Sequence, residues 1–490
     1  MKTLHRFAVV GLPVALAIGG MFLLVSCPSR DETSQPAAGG PPDAVARLGD
    51  SFVTRAELEE RLVREIRPRD EDSYQAPREP VTPESVLREI LAEKAMSLEG
   101  RRLGYLQDEQ LASSIQQSEH QRLAQMVAEN CLRERMGTDE SKVQELRKTD
   151  PTLTLDQARV VVRRQILEQL RGELTEKFQL KKLSDNFMEA ALIHQRLLHQ
   201  PAQPRSESWI LNRQVRNELS EKEKSLPLAT YQGGQFTLKE WFQGVCNIVP
   251  PRRPSDLNTP AGVGRLLENA LWVPLLVAEA KARGYDQDEK LRRDIRQMED
   301  QRLLYKVIEE KTKGLAEPTA EQTKAYFEKN AERFAQPATL KLSQIWCADL
   351  EKARQAKAEL DGGADFETVR KDHSLQKEET PYPVSAGGEG LFWAELWQGE
   401  PNQVLGPVRG FYGSGVKWRL VKILEKTPAK AQEYSEQTAN NAKWAWMDEQ
   451  RQRLLADYRK ELLAKCAPEI FHDRIKDIDP LEIAMTKGDN

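Results

Sequence analysis

A chain of 490 residues has the length of about three domains. With 30% charged and 39% hydrophobic residues, a net charge of -4 and a mean hydropathy of -0.63, it reads as soluble and helix-rich, with apolar residues for several small cores. Basic and acidic residues interleave, which describes solvated helical faces and excludes a general nucleic-acid binder.

At the N-terminus Lys2, His5 and Arg6 precede an apolar run, Phe7–Leu24, and then Leu24-Val25-Ser26-Cys27. Small residues directly before a cysteine at this point resemble the bacterial lipoprotein signal. The resemblance implies cleavage before Cys27, acylation of its thiol, and a chain held outside the cytoplasm at the periplasmic face of the cell envelope. Pro28 in place of an aspartate tilts that expectation toward the outer membrane. An uncleaved transmembrane anchor is the alternative, because the run comes close to a spanning length. Residues 1–26 are then a signal peptide, and 27–43, rich in Ser, Pro, Gly and Ala, a flexible tether. Export permits disulfides. Cys131, Cys246, Cys347 and Cys466 could pair or could be buried thiols, and the sequence does not choose.

Val45–Leu62 reads as a strand, a turn at Gly49-Asp50, and a helix that Thr54 and Glu57 open as a capping box. A proline-rich charged loop follows over 67–83. Pro83–Gly100 carries Val86, Leu87, Ile90, Leu91 and Ala95 on one helical stripe. Gly104 breaks the pattern, and a long helix runs from Asp108-Glu109 to about Arg135. The arrangement then recurs. Arg102–Leu111 matches Ala282–Leu291 through a shared Gly-Tyr and Gln-Asp-Glu, and in the same frame Leu87 falls on Leu267, Leu91 on Leu271 and Glu99 on Glu279. With a small shift Gly49 and Phe52 fall on Gly233 and Phe236. This is an internal duplication. Between the copies Thr152–His199 is helical, and Gln200–Ser208 is a candidate boundary. His194 and His199 do not share a helical face, so no metal site is expected, nor any cofactor. Met298–Lys313 and Thr319–Phe334 are helical, the latter opened by Thr319 and Gln322. Tyr434–Cys466 is a long amphipathic helix, Glu469–Ile478 could supply a strand to the first module, and the tail after Asp479 reads as frayed.

Pro337–Lys426 reads strand, helix, helix, tight glycine turn at Ser385–Gly390, and closing strand. Gly362–Phe366, His373-Ser374, Gly387–Phe392 and Asn402–Val408, in that order, resemble the parvulin (PpiC-type) prolyl-isomerase domain. Each copy of the duplicated segment resembles the N-terminal module of SurA/PrsA-type exported chaperones, on Gly49–Thr54 with Glu57-Leu58 and on Leu267–Gly284. The resemblance implies an α+β, mainly helical protein. Its parts are a first module over 44–135, a helical connection over 136–226, a second module with linker helix over 227–334, a parvulin-like domain over 337–426, and a C-terminal helix and strand over 430–478 that pack on the chaperone lobe.

Active parvulins bring together a first-strand histidine, a cysteine or aspartate after the second helix, and a last-strand histidine. Those positions fall here on Gln344, Gln376 and Arg419, and the loop that normally carries an apolar pocket is shortened. No residue is therefore expected to be catalytic. Phe392, Trp393 and Trp397 are peptide-binding candidates, with core packing as their alternative role. The expected function is a membrane-anchored extracytoplasmic chaperone whose partners are unfolded exported polypeptides. An active isomerase with a rewired site and an envelope scaffold lipoprotein remain as alternatives.

Overall fold

The computed structural model describes residues 41–68, 81–136, 140–200 and 209–487. Cys27 with its signal segment, the tether to residue 40, most of the 67–83 loop and nearly all of the 200–208 boundary lie outside these residues. The fold is α+β and mainly helical. It forms two compact units: the N-terminal residues to Ala95 together with Thr312 onward, and Met96–Lys311.

The first unit begins with an antiparallel hairpin, β1 (Ala44–Leu48) and β2 (Ser51–Thr54). Thr54 Oγ1 then accepts the Glu57 N–H and starts α1 (Arg55–Glu65), which buries Leu58 and Leu62. In α2 (Pro83–Arg102) the expected stripe is the buried one, with Leu87 and Leu91 fully covered.

The second unit continues through α3 (Glu109–Met136), α4 (Ser141–Thr149), α5 (Leu155–Lys177), β3 (Lys181–Lys182), α6 (Phe187–His199), α7 (Asn212–Glu218) and α8 (Glu221–Lys224). It then repeats the opening motif as β4 (Pro227–Tyr231), β5 (Gly234–Thr237) and α9 (Leu238–Asn247), with Thr237 as the capping residue. The two hairpins have the same register and the same irregularity: Ala44↔Thr54 then Ala46↔Val53 in one, Pro227↔Thr237 then Ala229↔Phe236 in the other. This moves the expected alignment by one residue, because Val53, not Phe52, occupies the place of Phe236. Both are buried and Phe52 is half-exposed, since a strand sends alternate residues to opposite faces.

Helices α10 (Pro260–Ala270) and α11 (Trp272–Ala282) correspond to the single α2. Pro274 breaks the second copy at Leu271, because a proline ring clashes with the carbonyl four residues back and donates no hydrogen bond. Gly104 and Gly284 then adopt the same left-handed conformation, with φ of 75° and 73°, that ends each helix and leads into a short 3-10 turn. Asp108 and Asp288 cap the next helix in each copy, α3 and α12 (Glu289–Thr312). Those two long helices are exchanged. Leu123 and Val127 of α3 join Leu276 and Ala280 of α11 in one core. Their counterparts on α12, Leu303 and Val307, press on Gly100 at the end of α2, where Ser97 Oγ donates to the Asp300 carbonyl at 2.8 Å. Residues 260–282 are long and apolar enough to cross a membrane, but they are two core helices that bury Leu267, Leu271 and Leu275.

The first unit resumes with α13 (Ala320–Lys329), then β6 (Thr339–Cys347), α14 (Leu350–Asp361), α15 (Phe366–His373), β7 (Pro383–Ser385), α16 (Ala386–Glu389), α17 (Trp393–Trp397), β8 (Val404–Tyr412) and β9 (Gly415–Thr427). The strands form one antiparallel sheet in the order β7-β6-β9-β8. The expected glycine turn at Ser385–Gly390 is thus a strand end and a one-turn helix. Both faces of β6 are covered: Leu340 and Leu342 pack with Leu396, Val421 and Ile423, while Ile345 and Cys347 pack with Ala353, Phe366 and Leu420. Last come α18 (Glu436–Cys466), β10 (Glu469–Ile470) and α19 (Pro480–Lys487). β10 pairs with β1, Ile470 opposite Ala46, just as β3 pairs with β4, Lys182 opposite Ala229. The tail expected to fray is α19. Asp479 caps its start, Pro480 opens it, and Ala484 is 2% exposed among apolar neighbours.

Among the described residues Cys131, Cys246, Cys347 and Cys466 form no disulfide. Burial raises Cys131 and Cys246 and pushes Cys347 up to about 11, so these are packing residues and poor nucleophiles. His194 is a core residue too. It stacks on Phe242 at 6.2 Å and meets the edge of Trp241 at 6.0 Å, and its Nδ1 has no partner. Burial first, then Arg253 and His199, lowers its pKa from 6.5 to about 4. The fold therefore favours the neutral ring. Stability from this group is whole above pH 6.5 and is lost as pH falls toward 4, by about 3 kcal/mol at the limit. Urea unfolding of the wild type should show that loss between neutral pH and about pH 4.5, and His194→Phe should flatten the difference.

Candidate functional site

The sequence-predicted positions converge on the face of the sheet that β6 and β9 share. Gln344 and Trp346 alternate with Ile345 and so look to the opposite face from the two helices α14 and α15. Arg419 on β9 stands directly opposite Trp346. Its guanidinium is 1% exposed and lies 4.9 Å from the Trp346 ring centre. Nη1 donates to Gln344 Oε1 at 2.5 Å and to Glu389 Oε1 at 3.3 Å, and Nη2 donates to Glu389 Oε2 at 2.5 Å. Glu389 is 6% exposed and reaches the pair from the end of α16. This is a buried, two-pronged ion pair with an amide as third member.

Gly410 on β8 makes the space. A Cβ there would lie 2.3 Å from Arg419 Nε and 2.7 Å from Trp346 Cη2, so any side chain at this position would collide with the guanidinium and the ring. The backbone of Gln344 is held from the other face of β6. Glu379 Oε2 accepts from the Gln344 N–H at 2.8 Å and from Ser343 Oγ at 3.1 Å, and Arg370 Nη1 donates to it at 3.2 Å. Both faces of one strand therefore carry an arginine–glutamate pair, buried on the Arg419 side and partly buried on the Arg370 side.

Gln376 does not join this cluster. Its side chain is exposed, and only its backbone N–H is tied in, to Ser374 Oγ at 3.2 Å. The same hydroxyl accepts the Trp346 N–H at 3.1 Å, so the segment after α15 is stitched to β6 by backbone and serine alone. His373 ends α15, and its Nε2 lies 2.9 Å from Glu359 Oε1, outside the cluster. Of the aromatic candidates, Phe392 is 5% exposed and meets Phe411 at a tilted 5.0 Å, which makes it a core residue. Trp393 and Trp397 are half-buried, stacked at 5.2 Å, and pack on the Leu342 and Val421 side of the sheet, with Lys426 Nζ 4.6 Å from the Trp397 ring. Glu389 and Gly410 were missed by sequence reasoning. Glu389 sits between glycines in a stretch used only as a scaffold marker, and the one available signal was an arginine on the last strand that would need an acid.

Chemically the cluster holds a guanidinium, a carboxylate committed to it, and an amide. It contains no imidazole and no thiol. Arg419→Met should cost about 3–5 kcal/mol by leaving Glu389 buried and unpaired. Adding Glu389→Gln should recover most of that loss in denaturant unfolding, whereas Gly410→Ala should destabilise with both charges still present.

No curated protein matches the chain. Residues 318–438 match the family described as the PPIC-type PPIASE domain. Among solved structures the chain is similar to a SurA-like chaperone of Campylobacter jejuni, with 14% identity, 49% of this chain and 97% of that chain covered, and a TM-score of 0.24. It is similar to PrsA of Bacillus cereus, with 16% identity, coverage of 55% and 100%, and a TM-score of 0.20. It is similar to the foldase PrsA of Streptococcus pneumoniae, with 16% identity, coverage of 44% and 79%, and a TM-score of 0.21. These scores are too low to extend any property of those proteins to this chain. The arginine cluster thus lies within a segment, 318–438, that is a PPIC-type, parvulin-class domain.

Proposed function

We propose that the chain is an exported, lipid-anchored chaperone that holds extended segments of unfolded exported polypeptides, with a parvulin-type domain that does not catalyse isomerisation. The observation that carries this reading is the buried Arg419–Glu389 pair with Gln344, standing where such a domain would place its histidines. Rotation about a prolyl bond faces a barrier of roughly 18–20 kcal/mol in an ordinary amide. A catalyst lowers it by binding the twisted amide better than the planar one. Two terminal nitrogens of this guanidinium are committed to its own carboxylate and amide, and the third, Nε, is unpartnered but shut in against Gly410 in a residue 1% exposed, out of a substrate's reach.

The duplicated helical module supports the holding role. In the second unit Met188 and Leu192 on α6, with Trp209 and Val249, leave apolar side chains exposed, the kind of surface on which loosely specified apolar segments can rest. Purified protein in stoichiometric amounts should suppress aggregation of a chemically unfolded client. In a protease-coupled proline-peptide assay its rate should not exceed that of the uncatalysed reaction, and a rate that fell on Gln344→Ala would overturn the non-catalytic reading. The anchor at Cys27 has its own check: Cys27→Ala should abolish incorporation of labelled fatty acid and release the protein from the membrane fraction.

A further inference from the structure

The aromatic end of the four-stranded sheet is covered by the chain's own C-terminus. Phe392 and Val416 are 5% and 1% exposed, and Phe411 lies 5.0 Å from Phe392. Against them α19 lays Leu481, Ala484 and Met485, with Ile66 at the end of α1 closing the same cluster. That spacing puts three apolar residues on one face of a helix, the way an amphipathic helix lies in a groove. Exposed Glu482 and Thr486 take the other face. The groove adjoins the arginine cluster, because Phe411 directly follows Gly410 and the turn after Glu389 leads into Phe392.

Two features mark α19 as an occupant that can leave. An isolated helix of 8 residues is not stable in water, so its helicity depends on the groove. The repeat also shows what this segment does when it belongs to a module. α5, β3 and α6 correspond to α18, β10 and α19, with Leu183 and Phe471 donating to the equivalent carbonyls of Leu228 and Val45. In the second unit the continuous helix α6 buries Ile193 and Leu197 in its own module's core. In the first, Pro480 stands at the start of a separate helix, and the counterparts Leu481 and Met485 lie between Ile66 at the end of α1 and the parvulin-type domain.

We propose that Phe392, Phe411, Val416 and Ile66 form a docking groove for an amphipathic helix with this apolar spacing, and that α19 is a resident competitor which a client's segment displaces. The chaperone reading enters only as the source of that segment. The test titrates a labelled synthetic peptide, Asp479–Lys487, into the full chain, into a chain ending at Asp479, and into full-length Ala484→Arg, followed by fluorescence anisotropy. The truncated and Ala484→Arg proteins should bind at least about tenfold more tightly than wild type, the factor by which an occupied groove lowers apparent affinity. Phe411→Ala in the truncated chain should abolish the gain, as should serine at both Leu481 and Met485 of the peptide. Equal affinity for all three proteins, or no binding by either variant, would overturn the proposal. So would loss of cooperative unfolding in both variants, which would make α19 part of the core. Peptide binding without suppression of client aggregation would count against the chaperone reading and leave the groove standing.

Discussion

A guanidinium that is 1% exposed must find its counter-charge inside the protein, and the parvulin-type domain is arranged around that need. Arg419 requires Glu389 at the end of α16, Gln344 on the neighbouring strand, a ring face from Trp346 and the missing side chain of Gly410. Each contact couples a different element of the domain, so the pair reports whether β6, β8, β9 and α16 are in register. Such a pair adds little net stability compared with apolar packing, but it is costly to break on one side only. The residues that hold it are thus bound to one another as a set.

The same economy of scaffold runs through the duplicated modules. Each hairpin takes a third, two-residue strand on the same edge and at the same register. One module takes it from the segment just upstream, the other from the far end of the chain, so that Phe471 donates to Val45 and Arg474 Nη1 to Ala44. The first module's sheet is therefore completed by Glu469 and Ile470, more than four hundred residues from β1. The exchanged helices add a second dependence: Leu303 and Val307 complete the end of α2, and Leu123 and Val127 complete α11. Each long helix thus packs on the helix that precedes the other.

The covered aromatic end of the sheet belongs to the same logic. A parvulin-type domain standing alone would expose Phe392, Phe411 and Val416 together. Here Ile66 and α19 bury Phe392 and Val416 and partly cover Phe411, which joins the hairpin module and the sheet of the first unit through one apolar cluster.

Much of this was legible in residues. The helical stripe of Leu87 and Leu91, the capping threonines, the repeated Gly-Tyr before an acidic cap, and the glycine and Gly-Pro-Val markers of the parvulin-type domain are local patterns, set by period and backbone preference. They determined most of the helices, the duplication, and the first and last strands of the sheet, β6 and β9, whereas β7 and β8 are strands only by pairing with those two. What tertiary structure decided was every matter that depends on partners distant in the chain. Val53 replaced Phe52 because strand register is set by pairing, not by spelling. Gln376 stayed outside the cluster, and Glu389 entered it, because a buried charge selects the acid that geometry brings within reach. The tail became α19 because a short amphipathic sequence is a helix only where an apolar groove is waiting for it, and that groove is built by residues from three separate parts of the chain.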